Sequence, residues 1–232
     1  MKEYEFRSLK IEVSGDVFYP TKTSTVILDY LSRAGVSYER ALDLGCGAGI
    51  VALFMAKEKI SEQVFASDVC NSAVRDTRRN AENLGLTVNT KVCSLLDGWV
   101  DTRFDLIVND VSGISAELAK LTPWFKDKVS CATGEDGVDL TMKIIENVSD
   151  HLNENGTFLT PLLGLSNYQR ALTRLNERFR SVELVAEREF VLPAEIGEQT
   201  GKLKQLIERN SIEVRKKFGL YTWPMRLYIA RH

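Results

Sequence analysis

ALDLGCGAGI, Ala41 to Ile50, is the stretch from which the rest of the chain can be read. An apolar run reaches an acidic residue, Asp43, and glycines follow at alternate positions, Gly45, Gly47 and Gly49, before helix-forming residues resume. The pattern predicts a strand, a tight turn and a helix. Glycine is needed because a Cβ bars the backbone angles of such a turn and keeps a ligand away from the main chain. Free N–H groups at the start of the following helix then face outward, which suits a polar or anionic part of a nucleotide-like molecule.

Spacing narrows the choice of ligand. The dinucleotide fingerprint G-x-G-x-x-G needs its last glycine one position later than Gly49, and Ile50 stands there instead. No Gly-Lys-Ser/Thr follows, so the phosphate loop of nucleoside triphosphatases is excluded as well. A second signal lies downstream. Val64 to Ser67 has the character of the next strand and ends at Asp68, about where a nucleotide-binding α/β unit places a carboxylate for ribose hydroxyls.

Asp43-x-Gly-x-Gly-x-Gly resembles the first motif of class I S-adenosylmethionine (SAM) dependent methyltransferases. With the preceding VFYPTKTSTVILDYL, Val17 to Leu31, the chain is similar to the small-domain family. That family includes release-factor and ribosomal-protein glutamine methyltransferases and several RNA amino-group methyltransferases. The resemblance spans roughly residues 17–162 and implies SAM as the cofactor. It implies that Gly45, Cys46, Gly47 and Gly49 shape the methionine pocket and that Asp43 orients the amino-acid end. Asp68 and Val69 would lie at the ribose, Ser94 and Leu95 at the adenine, and Pro20 and Ser24 beside the cofactor, with Phe18 and Tyr19 adjoining.

The acceptor side matches less well. FDLIV, Phe104 to Val108, is a buried strand by its continuous apolar run and ends in Asn109-Asp110-Val111-Ser112-Gly113. Here the family carries an Asn, Asp or Ser followed by Pro-Pro and then Tyr or Phe, which clamp a planar nitrogen. Asp110 can stand for the first residue, with Asn109 the neighbouring candidate, while Val111, Ser112 and Gly113 replace the rest and leave no stacking ring. That departure speaks against a protein glutamine or a flipped nucleobase and favours a small molecule or a different amino group. The acceptor is read overall as an amino or amide group on a protein or small molecule. An RNA amino group is the alternative, and a SAM-binding regulatory module without catalysis is a third reading. Asp110 could also cap a helix over residues 114–120.

Elsewhere the patterns predict a doubly wound α/β, Rossmann-like sheet of about seven strands with the last antiparallel. Tyr4 to Val13 alternates as a strand, and a turn at Ser14-Gly15-Asp16 leads to Val17-Phe18-Tyr19, which predicts an N-terminal β-hairpin. Helices are expected over 26–33, 49–59, 72–84, 138–152 and 171–179, and strands over 86–93, 157–162, 182–191 and 225–230. Asn153 to Gly156 is expected as a turn, Asp136 as a helix cap, Leu118 to Phe125 as an amphipathic stretch and Pro193 to Gly219 as a helical insertion. Ala73-Val74 and Asn80-Ala81 match packing pairs of the family. One methyltransferase domain would then comprise a hairpin and helix (1–36), a SAM-binding core (37–192), the insertion (193–219) and a last strand (220–232).

Composition excludes several classes. The net charge of −2 speaks against a polyanion partner. Cys46, Cys70, Cys93 and Cys131 form no C-x-x-C pair and histidine occurs only twice, so no zinc spacing is present. Reduced, scattered cysteines fit a cytoplasmic protein. The N-terminus lacks the apolar core of a signal peptide, and no run approaches the roughly 20 apolar residues of a membrane span.

Overall fold

The computed structural model describes residues 1–122, 124, 133–197 and 200–232. Phe125, at the end of the expected amphipathic stretch, and Cys131 lie outside the described residues. The expected strand, turn and helix are present: β3 (Tyr38–Leu44), the glycine turn and α2 (Ile50–Lys57). They are preceded by β1 (Lys2–Phe6), β2 (Leu9–Val13) and α1 (Lys22–Leu31). After them come β4 (Ser61–Asp68), α3 (Asn71–Leu84), β5 (Asn89–Val92), β6 (Phe104–Asn109), α4 (Ala116–Ala119) and α5 (Asp139–Asn147). The chain ends with β7 (Leu152–Leu163), α6 (Tyr168–Arg178), β8 (Ser181–Val191), α7 (Ala194–Gly197), α8 (Thr200–Asn210), β9 (Arg215–Lys217) and β10 (Leu220–Arg231).

The main sheet runs β5-β4-β3-β6-β7-β10-β8, with β9 added to β10. From β5 to β7 the pairings are parallel, and β10 enters antiparallel to both its neighbours. Continuous apolar runs fit this arrangement because central parallel strands are covered on both faces. Ala41 and Val108 face α1, α2 and α3, whereas Leu42, Leu44 and Ile107 face α5 and α6. Strand order reverses at β3. The crevice above β3, at the carboxyl ends of β4 and β6, is therefore where an open α/β sheet binds ligands.

Five expectations need correction. The N-terminal hairpin turns at Arg7-Ser8, with Phe6 opposite Leu9, and not at 14–16. Its turn lacks Asn or Gly, and Arg7 takes φ +53° instead. Residues 153–156 form no separate turn; they lie inside β7 as a bulge, where Phe104 pairs with Leu152 and Leu106 with Thr157. The insertion is helical only in α7 and α8, and its end becomes β9, paired with β10. Residue 86–88 precedes β5, and the helix expected over 114–120 is the short α4.

The hairpin is bound to the core through buried polar groups of α3. Asn80 accepts from Glu12 N (3.0 Å) and donates to Glu12 O (2.9 Å) and Ala48 O (3.0 Å). One turn earlier, Asp76 accepts from Ser14 N (2.7 Å) and Ser14 Oγ (2.8 Å) and pairs with Arg79 (2.9 Å). Asn80 thus joins three segments: hairpin, glycine turn and α3. Asn80→Ala strands three buried backbone groups and is expected to cost about 2–4 kcal/mol. A lower urea midpoint, with proteolysis beginning in the N-terminal hairpin, is the result to look for.

Candidate active site

The glycine turn is fixed from the neighbouring strand. Gly45 N and Cys46 N both donate to Ser67 O at 2.9 Å, and Gly49 N returns to Cys46 O at 2.8 Å. A Cβ on Gly45 would stand 2.6 Å from Val111 Cγ1, and one on Gly49 would stand 2.9 Å from Thr77 Cγ2. Those glycines permit close packing against the loop after β6 and against α3. At Gly47 the nearest atom to an added Cβ is Phe18 O at 3.8 Å, so its φ of +53° demands glycine while the space beside it stays open.

Carboxylates surround this turn. Asp68 Oδ2 accepts from Gly47 N (3.0 Å) and Oδ1 from Cys70 N (2.8 Å), which fixes the side chain at the carboxyl end of β4. Each oxygen retains a lone pair for a hydroxyl. Asp43 is buried and accepts from Ala52 N (2.9 Å) in the first turn of α2, so it ties strand to helix. Burial foremost, and the nearby Asp110 next, push the Asp43 carboxyl well above the usual range. Cys46 turns inward, where its sulfur lies 3.4 Å from Thr77 Oγ1 and burial pushes the thiol up.

The loop after β6 separates its two candidates. Asn109 is buried, donates to Thr160 Oγ1 (3.0 Å) and accepts from Val111 N (3.1 Å), so its amide holds the loop to β7. Asp110 turns the other way. Its N–H reaches Leu44 O (3.2 Å), and Ser24 Oγ donates to its Oδ2 (2.6 Å). Burial pushes the Asp110 carboxyl up to about 7, against the Ser24 bond, which lowers it. The carboxyl caps no helix; Ser115 precedes α4. Asp136 does accept from Val138 N (3.4 Å) just ahead of α5.

Other expected residues occupy the rim. Val69, beside Asp68, is 72% exposed. Ser94 is exposed just past β5, and Leu95 is half-buried with φ +44°. Pro20 is half-buried between Tyr19 and α1. A residue missed in the sequence is Tyr4. Its ring meets Tyr19 edge-on at 5.5 Å, and its phenol is raised by burial, then by Tyr19 and by Asp110. The alternation of β1 places Tyr4 on the half-buried face, but nothing local links it to Asp110.

A glycine turn at the switch point of this sheet, with carboxylates on the flanking strands, defines a class I methyltransferase architecture. Residues 19–110 match the model of the methyltransferase small domain. It is 30% identical over 162 residues to the release factor glutamine methyltransferase of Geobacter sulfurreducens, covering 68% of this chain and 57% of the relative. It is 32% identical over 127 residues to the ribosomal protein uL3 glutamine methyltransferase of Neisseria meningitidis, covering 53% of this chain and 42% of the relative. The match therefore spans about half the length of these relatives. In fold it is similar to the T. thermophilus 16S rRNA N2 G1207 methyltransferase solved with AdoMet and guanosine, with TM-score 0.61, 16% identity and coverage of 99% of this chain and 49% of that one.

The Asp110 environment has a measurable signature. Its folded-state value lies near 7 against 3.8 for the ordinary carboxyl, so between those pH values the folded chain holds a proton that the unfolded chain has released. Stability from this site is accordingly present at low pH and lost as pH rises through about 7. Asp110→Asn removes the loss. Its urea midpoint is expected to exceed wild type by the equivalent of about 1–3 kcal/mol near pH 8, with the difference closing toward pH 4.

Proposed function

We propose that this chain is a SAM-dependent methyltransferase acting on an amino or amide nitrogen of a protein or small molecule. The observation that carries the reading is Gly47: its open side adjoins Asp68, whose carboxylate is held by the turn itself. Asp68 would accept from the ribose, exposed Val69 would cover the adenine with Ser94 and Leu95 beyond, and the Gly45–Gly49 turn would enclose the methionine end. Asp43 acts at one remove, by holding the turn to α2. Pro20 and Ser24 line the side between cofactor and Asp110. We take the chain as one methyltransferase domain with the boundaries given above.

Bound SAM supplies a methyl group already activated on a sulfonium, so alignment supplies much of the rate. Asp110 accepts a hydrogen bond from the acceptor nitrogen and can take its proton, for which a value near 7 is suited. Val111, Ser112 and Gly113 offer no aromatic clamp, which favours an aliphatic amine or amide over a flipped base. The glutamine methyltransferase names of the relatives agree with a protein acceptor. Among the described residues no helix is long and apolar enough to cross a membrane. Free Cys46, Cys70 and Cys93 fit a reducing compartment, and we place the protein in the cytoplasm.

Calorimetry divides the roles. Asp68→Ala is expected to weaken S-adenosylhomocysteine binding by about tenfold or more, one lost charge-assisted bond. Asp110→Ala should leave that binding within about twofold while cutting transfer of labelled methyl to extract protein and amines by about a hundredfold or more. Equal loss of binding in both variants would sink this assignment. Label that vanishes on RNase treatment would move the acceptor to RNA.

A further inference from the structure

The carboxyl ends of β3, β4 and β6 bring three carboxylates to one crevice. Leu44 pairs with Ser67 on one side and Asn109 on the other, so Asp68 and Asp110 flank the end of β3, about two strand spacings or roughly 10 Å apart. Asp43 lies beneath them. Among the described residues, no lysine, arginine or histidine forms an ion pair with any of the three. Backbone N–H groups hold Asp68 and Asp43, whereas Asp110 has the Ser24 hydroxyl.

The groups facing Asp110 can be named element by element. Tyr4 comes from β1, neutral Ser24 from α1, and Asp43 from β3, with Asp68 and the Cys46 thiol behind it. Asn109, on its own strand, is turned to Thr160. Each ionisable neighbour is an acid. A half-buried carboxylate in such company is costly unless the ligand brings the positive charge.

We propose that Asp110, positioned by Ser24, is the residue by which this site distinguishes the cationic methyl donor from its neutral demethylated product. The inference rests on the SAM-binding reading above and extends it to the order of events. The adenine, ribose and amino-acid end are common to SAM and S-adenosylhomocysteine, so only the S-methyl group and the charge it brings separate their affinities, and of these the charge alone responds to the ionisation of Asp110. Ionised Asp110 favours the sulfonium, and SAM binding expels a proton from the carboxyl near neutral pH. In turnover Asp110 receives the proton released by the acceptor nitrogen as the N–C bond forms and the S–C bond breaks. The crevice then holds a neutral carboxyl beside a neutral thioether, and the electrostatic preference for the occupant is gone.

Titration calorimetry of the full chain with SAM and with S-adenosylhomocysteine, between about pH 6 and pH 8.5, tests this without an acceptor. The ratio of the two affinities should rise about tenfold in favour of SAM across that range. The sulfonium disfavours the charged amino group of SAM itself, so the pH dependence of the ratio is read against that of Asp110→Asn, where the ligands' own titrations are unchanged. Asp110→Asn should flatten the ratio, and Ser24→Ala, which removes a donor to the charged form, should move its midpoint to higher pH. A ratio independent of pH in wild type, or one whose rise survives in Asp110→Asn, overturns the proposal. Should that variant fail to fold, a midpoint unmoved in Ser24→Ala overturns it instead. Failure of both ligands to bind removes the SAM-binding reading as well, and so is distinguishable from a flat ratio.

Discussion

The Ser67 carbonyl and the Asp68 carboxylate, at successive positions of β4, hold the turn that ends β3. The carbonyl takes the N–H groups of Gly45 and Cys46, and the carboxylate takes that of Gly47. The first pair continues the parallel ladder past the last residue of β3. The other bond is made by the side chain proposed above to accept from the ribose. On that reading folding and binding share this contact, and the carboxylate is aimed before anything binds.

From that turn the rest of the site follows by packing. Gly45 admits Val111, which sets how closely the loop after β6 approaches the donor pocket. Gly49 admits Thr77, whose hydroxyl donates to Gly47 O at 3.0 Å, so α3 braces the turn from below. Asn80 carries the brace outward to the hairpin, whose Tyr4 meets Tyr19 edge-on and lies near enough to Asp110 for that carboxylate to raise its phenol. The loop itself lacks an aromatic ring.

What could be read from the sequence divides along the same line. The glycine turn, the apolar runs of β3 and β6, and the placing of Asp68 are local patterns with local physical causes, and they carry the sheet and the donor side. The hairpin turn at Arg7-Ser8 was hidden because the pair lacks the Asn, Asp or Gly that marks a two-residue hairpin loop, although the apolar phase shifts between Phe6 and Leu9. The β9 strand was hidden because its pairing partner, β10, supplies the reason for it to be extended. Asp110 was legible as a candidate; its partner was not, since Ser24 is 86 residues away. Separating Asp110 from Asn109 required seeing which carbonyl, hydroxyl or amide each one faces.

That asymmetry has a physical origin. A donor pocket for one invariant molecule can be built by a single strand-turn-helix, so its constraints are written in consecutive residues. An acceptor pocket takes its shape from whatever approaches Asp110: α1 through Ser24, the hairpin through Tyr4, and the loop through Val111 against Gly45. None of these segments is adjacent in sequence, and each is held by a tertiary bond instead of a motif. Loss of the Pro-Pro-aromatic sequence therefore removes a rigid clamp without removing the carboxylate's position, which depends on Ser24 and on the Leu44 carbonyl. On the function proposed above, chemistry at nitrogen would rest on that carboxylate and on the alignment of donor with acceptor more than on the clamp, and a change of acceptor would leave the donor side in place.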